Sequence, residues 1–415
     1  MNRSTCHPAV WCVLLVPFGA VGGFVGVALT FLANRRGISI TDTAFLAAAS
    51  IVIQWLKWLW APLVDITLTP RRWYVLSTLA IAATVLAMAA IPLGPSTLWT
   101  VIAVVVLNSV AASVSAMAVD AMVALSTPRE QLGRVSGWMQ AGNLGGTGVG
   151  GGVSLLLLDH LPEPWMGGAM VAVLLVACMA PLRYTPGVAS QAPEGTAWSA
   201  VRWAALDVWQ TLRQSRGRIA ALLLVLPIGT GAASTVLAQA SVAAHWHAGA
   251  NEVAVVQGLL GGLAMATGSF AGGWLGQRVR PRTAYALAGF ALTLVAWAMA
   301  LAPTNVATYL VASLAYNVVV GAAFAAFTAV VLDAIGYGAA ATKCNVLASL
   351  SNFPIWWMGL LLAWIADHEG PAAMLTAEAA IGLAALAVFL LGASRIDAVA
   401  KRREPAVAVV PRALD

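Results

Sequence analysis

The chain has 415 residues, 60% of them hydrophobic and 9% charged, with a net charge of +6 and a mean hydropathy of +0.86. Soluble domains carry about 25% charged residues, so this composition cannot wet the outside of an aqueous globule. Four cysteines lying in or beside apolar runs are too sparse for a secreted disulfide scaffold. The basic residues stand at the ends of apolar segments instead of forming a patch, which argues against a nucleic-acid binder.

In chain order, apolar stretches of the roughly 20 residues that a membrane helix needs fall at 8–33, 42–64, 73–94, 98–125, 134–158, 165–182, 219–244, 252–275, 283–302, 305–334, 343–366 and 371–393. The first is too long for a signal-peptide core and lacks a small-residue cleavage site, so it reads as a retained helix. The runs are continuously apolar, which excludes an outer-membrane barrel. The expectation is an all-α polytopic membrane protein with twelve transmembrane helices.

Between the sixth and seventh runs lies the longest polar segment, 183–218. It opens on a Pro/Gly/Ser stretch, then places Trp198, Val201, Ala205, Val208, Trp209 and Leu212 on one helical face. That pattern reads as an amphipathic helix on the membrane surface; an ordinary solvated linker is the alternative. The chain therefore divides into a six-helix bundle (1–182), a linker (183–218), a second six-helix bundle (219–394) and a tail (395–415). With the N-terminus inside, nineteen Lys and Arg residues fall on one side, and Arg35 and Arg36 on the other. Both termini are expected in the cytoplasm of a bacterial inner membrane.

The halves carry a faint repeat. Val119-Asp120-Ala121 closes the fourth run and Leu332-Asp333-Ala334 the tenth; LLLLDHLPEP follows the fifth and LAWIADHEGP the eleventh. Asp65 is followed by Arg71 and Arg72, as Gln277 is by Arg278, Arg280 and Arg282. Two pseudo-symmetric bundles joined by a linker outline a secondary transporter with its site between the halves near the midplane.

An ionisable group inside a span is costly unless paired or wet. Lys57 stands eight residues before Asp65, roughly 12 Å up a helix. Asp120 lies about as deep in the fourth run, so a charge pair is expected in which Asp120 carries a proton and Lys57 partners it. A purely structural pair, or two residues in separate wet crevices, is the alternative. Glu378 reads as a helix-packing or interface residue near the outer leaflet, and Asp333 as a helix-end charge. Gln54, Asn108, Ser115, Gln140, Asn143, Gln239, Gln257, Asn317, Ser349 and Asn352 are candidate substrate contacts, with Trp356 as a stacking surface; each polar residue could equally glue helices together. The glycines at 142–152 read as close helix contacts. There is no Walker motif, so a proton gradient and no cofactor is the expected energy source. His245 and His247 read as interfacial, so no metal is expected. No catalytic constellation converges in the spans, and the chain is not expected to be an enzyme.

This outline resembles the major facilitator superfamily over essentially the whole chain. QWLKWLWAPLVD (54–65), GRVSGWMQAGNLGGTGVGGG (133–152) and ATKCNVLASLSNFPIWWMGLLLAWIAD (341–367) look like the branch holding anhydromuropeptide permeases, acetyl-CoA transporters and siderophore permeases. Where that branch carries two Asp residues in its fourth helix, this chain has Ala116 and Asp120. The resemblance implies the major facilitator fold. It also implies that Asp65 anchors the cytoplasmic ends of the halves against the start of the eleventh helix, near Lys343–Asn345, with Arg71, Arg72, Arg129 and Arg134 completing the network. The function implied is proton-coupled import of a muropeptide-like or siderophore-like solute by a monomer. Export of small amphipathic molecules is the alternative within the class; a transporter-like sensor or assembly factor is the alternative outside it.

Overall fold

The computed structural model describes residues 6–38, 40–187 and 196–403. Residues 188–195 of the Pro/Gly/Ser stretch, 404–415 of the tail, and Arg3 and Arg412 of the topology count lie outside them. Among the described residues every regular element is helical, and nine helices are long and apolar enough to cross a membrane. The other three expected spans are each interrupted or diluted for a local reason.

The second runs Ile40–Leu56, tightens into a single 3-10 turn at Lys57–Leu59, and resumes at Ala61–Ile66, where Pro62 suits a helix start. The fifth is one unbroken helix, Leu132–His160, diluted by glycine. The seventh departs from the expected continuous run. Its first helix, Ser215–Val225, stops at Leu226, which is extended, and helix resumes only at Ala233–Leu237. Pro227 follows Leu226 directly and disfavours helical backbone there, while Gly229 and Gly231 adopt left-handed φ values of 62° and 66° that suit glycine. The first span is disturbed as well, where Phe24–Leu29 is a π-helical segment.

Glycine sets how closely the bundles approach, as small residues do in membranes. A methyl group at Gly142 would fall on the Cys12 carbonyl, and one at Gly19 on that of Asn143, so the first and fifth helices meet backbone to backbone. The fifth and eighth helices meet in the same way at Gly133 with Gly276, Gly137 with Gly273, and Gly148 with Gly262. This seam joins the two halves over roughly 22 Å of helix. Within each half a tyrosine of the third helix binds the main chain of the first. Tyr74 donates to the Leu14 carbonyl at 2.9 Å, and Tyr285 donates to that of Ile228. Both stand in a Pro-Arg-x-x-Tyr motif, PRRWY and PRTAY, a stronger trace of the repeat than those read from the sequence.

The linker helix is Ala197–Arg213, capped by Thr196, which accepts from the Ser199 amide at 3.2 Å. Its buried edge is Ala200, Ala204 and Thr211, while Trp198 and Trp209 stay exposed. Small residues thus dock this helix on the bundle, and the tryptophans of the expected apolar face point away from it.

Candidate functional site

Between the halves lies a chamber of about 210 Å³. From the first half, Gln54 and Lys57 reach it from the second helix, Asp120 from the fourth, and Gln140 and Asn143 from the fifth. The second half supplies Phe324, Phe327 and Thr328 from the tenth helix, and Ser351 and Asn352 from the eleventh. Lys57 sits on the 3-10 turn, which is anchored one residue beyond by the Trp60 indole donating to Ser113 at 3.0 Å. Lys57 and Asp120 are close enough for their charges to interact, and neither forms a hydrogen bond or ion pair to the other. Both line the same chamber.

A hydrogen-bonded chain crosses from one half to the other. Asn143 Nδ2 donates to Gln140 Oε1 at 3.0 Å, and Gln140 Nε2 donates to Thr328 Oγ1 at 2.7 Å. Asn352 Nδ2 reaches the Gln54 carbonyl at 3.5 Å. Thr328 has no forerunner among the sequence candidates, because its helix is otherwise apolar there and a lone Thr carries little signal.

One end of the chamber is shut. Trp11, Val119, Met122 and Val123 of the first half pack in one hydrophobic cluster with Leu332, Ile335, Cys344 and Leu347 of the second. Asp65, 8% exposed, lies beyond it. Its carboxylate accepts from the Ala341 amide at 3.0 Å, the Thr342 amide at 2.8 Å and the Thr342 hydroxyl at 2.7 Å. These are the first turns of the eleventh helix, Ala340–Glu369, whose free N–H groups and positive dipole end favour an anion.

A second carboxylate grips the same turn from the linker helix. Asp207 accepts from the Ala339 amide at 2.7 Å and pairs with Lys343 Nζ at 2.9 Å. The Lys343 side chain is 2% exposed and also donates to the Tyr337 carbonyl. Asp207 was not legible as a site residue, since in the sequence it is one acidic residue in a polar linker. Arg71 donates to Thr185 at 2.9 Å, and Arg72 and Arg134 are exposed; none of these reaches Asp65 through a described contact. Asp333 pairs with Arg216 at 3.5 Å on the surface, where such pairs contribute little.

Of the ten substrate candidates named with Trp356, only Gln54, Gln140, Asn143 and Asn352 line the chamber. Asn108 donates to the Ile81 carbonyl and to Thr84 between the third and fourth helices. Ser115 is fully buried. Gln239 is exposed. Asn317 accepts from Ser234, which also bonds Gln257. Ser349 lines a separate surface cleft with Trp55 and Trp58. Trp356 packs edge-on against Trp55 and is about half exposed. These residues serve helix packing or face outward because an in-span polar group can be satisfied by a neighbouring helix as well as by water.

A family model for the Major Facilitator Superfamily matches residues 11–353. No curated protein matches the chain significantly. Among solved structures, the human organic anion transporter MFSD10 (TETRAN) is 17% identical with a TM-score of 0.68, covering 92% of this chain and 98% of its own. The E. coli fucose:proton symporter FucP is 14% identical with a TM-score of 0.68, covering 94% and 98%. A bacterial homologue of the iron transporter ferroportin, in its outward-facing state, is 15% identical with a TM-score of 0.64, covering 94% and 98%. At such identities the likeness is one of fold.

Proposed function

The chain belongs to the Major Facilitator Superfamily, and on that premise we propose that it imports a carboxylate-bearing solute by proton-coupled alternating access. Members of this family are membrane transporters and not enzymes. The observation that carries the reading is the chamber wall, where Lys57 and Asp120 face one space without touching. A solute carboxylate entering that space takes Lys57 as its partner. Asp120 then loses the compensation that holds it ionised and accepts a proton. The loaded chamber is neutral, and neutrality is what lets the halves close around a polar site in a low-dielectric interior.

Asp65 and Asp207 hold the opposite end shut in this state. With nineteen Lys and Arg on the side of the termini, that end is cytoplasmic, and the closed latch belongs to the outward-facing part of the cycle. The chamber, at about 210 Å³, is below the roughly 300–1,000 Å³ of ligand pockets, so the solute must widen it on entering. Muropeptide-like solutes, one class suggested by the 54–65 motif, bear carboxylates, and so do those siderophore-like solutes that bind iron through carboxylate donors.

The test is a thermal-shift screen of purified protein against cell-wall fragments, siderophores, sugars and organic acids. The expected hit is an anionic solute whose stabilisation is lost in Lys57→Gln. Stabilisation by neutral solutes alone, unchanged in that variant, sinks the carboxylate assignment.

A further inference from the structure

Glu378 belongs to no part of the chamber. It lies in the twelfth helix and is 4% exposed. Its Oε1 accepts from the Tyr316 hydroxyl at 2.6 Å and from the Ala233 amide at 3.3 Å. Its Oε2 is buried with no partner. Ala233 is where the interrupted seventh span resumes helix, so this carboxyl holds the far side of the break, while Tyr285 holds the Ile228 carbonyl on the near side. The next residue, Ser234, is gripped by Asn317, whose own amide nitrogen is buried and unpartnered.

Tyr316 is the titratable group that meets Glu378, from the tenth helix. No charged side chain among the described residues acts on it. Asp367, His368 and Glu369, which end the eleventh helix, are exposed, and Tyr285 of the ninth is engaged at Ile228. An isolated carboxylate in such a place costs several kcal/mol, and the neutral acid does not.

Between Glu378 and the chamber stands the break itself. Gly229 and Thr230 line a small cavity whose walls Phe324, Phe327 and Ser351 are shared with the chamber. The left-handed glycines at 229 and 231 give the segment backbone freedom to move.

We propose that Glu378 is a second proton-carrying site, in the C-terminal half, and that its protonation locks the break of the seventh span. Protonated, the carboxyl is content in its dry pocket and keeps Tyr316 and the Ala233 amide as donors. Ionised, it is stable only in contact with water, and the segment 226–238 moves to admit water from the chamber side. The assignment does not depend on Asp120 carrying a proton or on the identity of any solute.

Hydrogen–deuterium exchange of the full-length protein in lipid nanodiscs, followed across pH and corrected for intrinsic exchange rates, tests it. In the wild type, protection of 226–238 should fall at least about tenfold through a single-proton step, while protection of the fifth helix stays level. Glu378→Gln, which keeps both accepted hydrogen bonds and cannot ionise, should hold the segment protected at every pH. Tyr316→Phe should move the midpoint to higher pH by about one unit, because the carboxylate loses a donor; this variant keeps the test decisive should Glu378→Gln fail to fold. An unchanged step in either variant, a flat wild-type profile, or a step that follows sodium concentration at fixed pH would overturn the proposal.

Discussion

In the N-terminal half the third helix plants Tyr74 on the Leu14 carbonyl, and in the C-terminal half Tyr285 does the same at Ile228. Around this shared joint the halves have diverged. The first half keeps its leading helix continuous through a π-helical segment and brings both chamber charges, Lys57 and Asp120. The second breaks its leading helix, lines the chamber with neutral Thr328, Ser351 and Asn352, and keeps its carboxyl, Glu378, behind the break. A duplicated scaffold therefore supplies packing twice and chemistry once per half, with different tasks. Confining the chamber charges to one wall also limits desolvation, since each further ion in a low-dielectric interior costs several kcal/mol.

The comparison breaks first at Asp120. Asp120→Asn should abolish gradient-driven uptake in proteoliposomes while leaving the unfolding midpoint within a few degrees; undiminished uptake would place the coupling charge elsewhere, Glu378 included. Next comes the latch. Asp65→Asn weakens three charge-assisted bonds, each worth about 1.5–3 kcal/mol. In a background with Cys6, Cys12 and Cys178 replaced by Ser, alkylation of Cys344 from the Asp65 side should quicken at least tenfold. An unchanged rate would mean that hydrophobic closure alone holds that end.

A smaller effect is expected at the linker. Asp207→Ala takes a partner from the buried Lys343 ammonium and should lower stability by about 1–3 kcal/mol, and adding Lys343→Met should recover most of it. Additive losses in thermal unfolding would show that the two residues are not coupled. Smallest of all, Gln239→Ala should leave uptake within about twofold, and Asn108→Ala should cost about 1 kcal/mol of stability with KM unchanged. A raised KM in either would return that residue to the substrate path.

What could be read in the sequence follows from how each feature is encoded. Helices betray themselves by length and hydropathy, and Lys57 and Asp120 by standing at matching depths, so their sharing of one chamber needed only helix arithmetic. The seventh-span break is encoded too: Leu226-Pro227-Ile228-Gly229 is a helix stop, masked because the run stays apolar through it. Asp207, Thr328 and Thr342 were not legible. Each acts through contacts across 132, 188 or 277 positions of chain, and a residue's partner at that range is set by tertiary packing. For Asn108 and Asn317 the residue type was informative and the direction was not.

The seam between the fifth and eighth helices carries one more consequence. Where Gly133, Gly137 and Gly148 lie against Gly276, Gly273 and Gly262, the moving parts present bare main chain to each other. Two such rods can roll a few degrees with no rotamers to unlock, as a smooth bearing turns without teeth. A single added methyl acts as grit: the side chain of Gly137→Ala would press on the Ser269 carbonyl and the Gly273 main chain and push the two helices apart where they now touch.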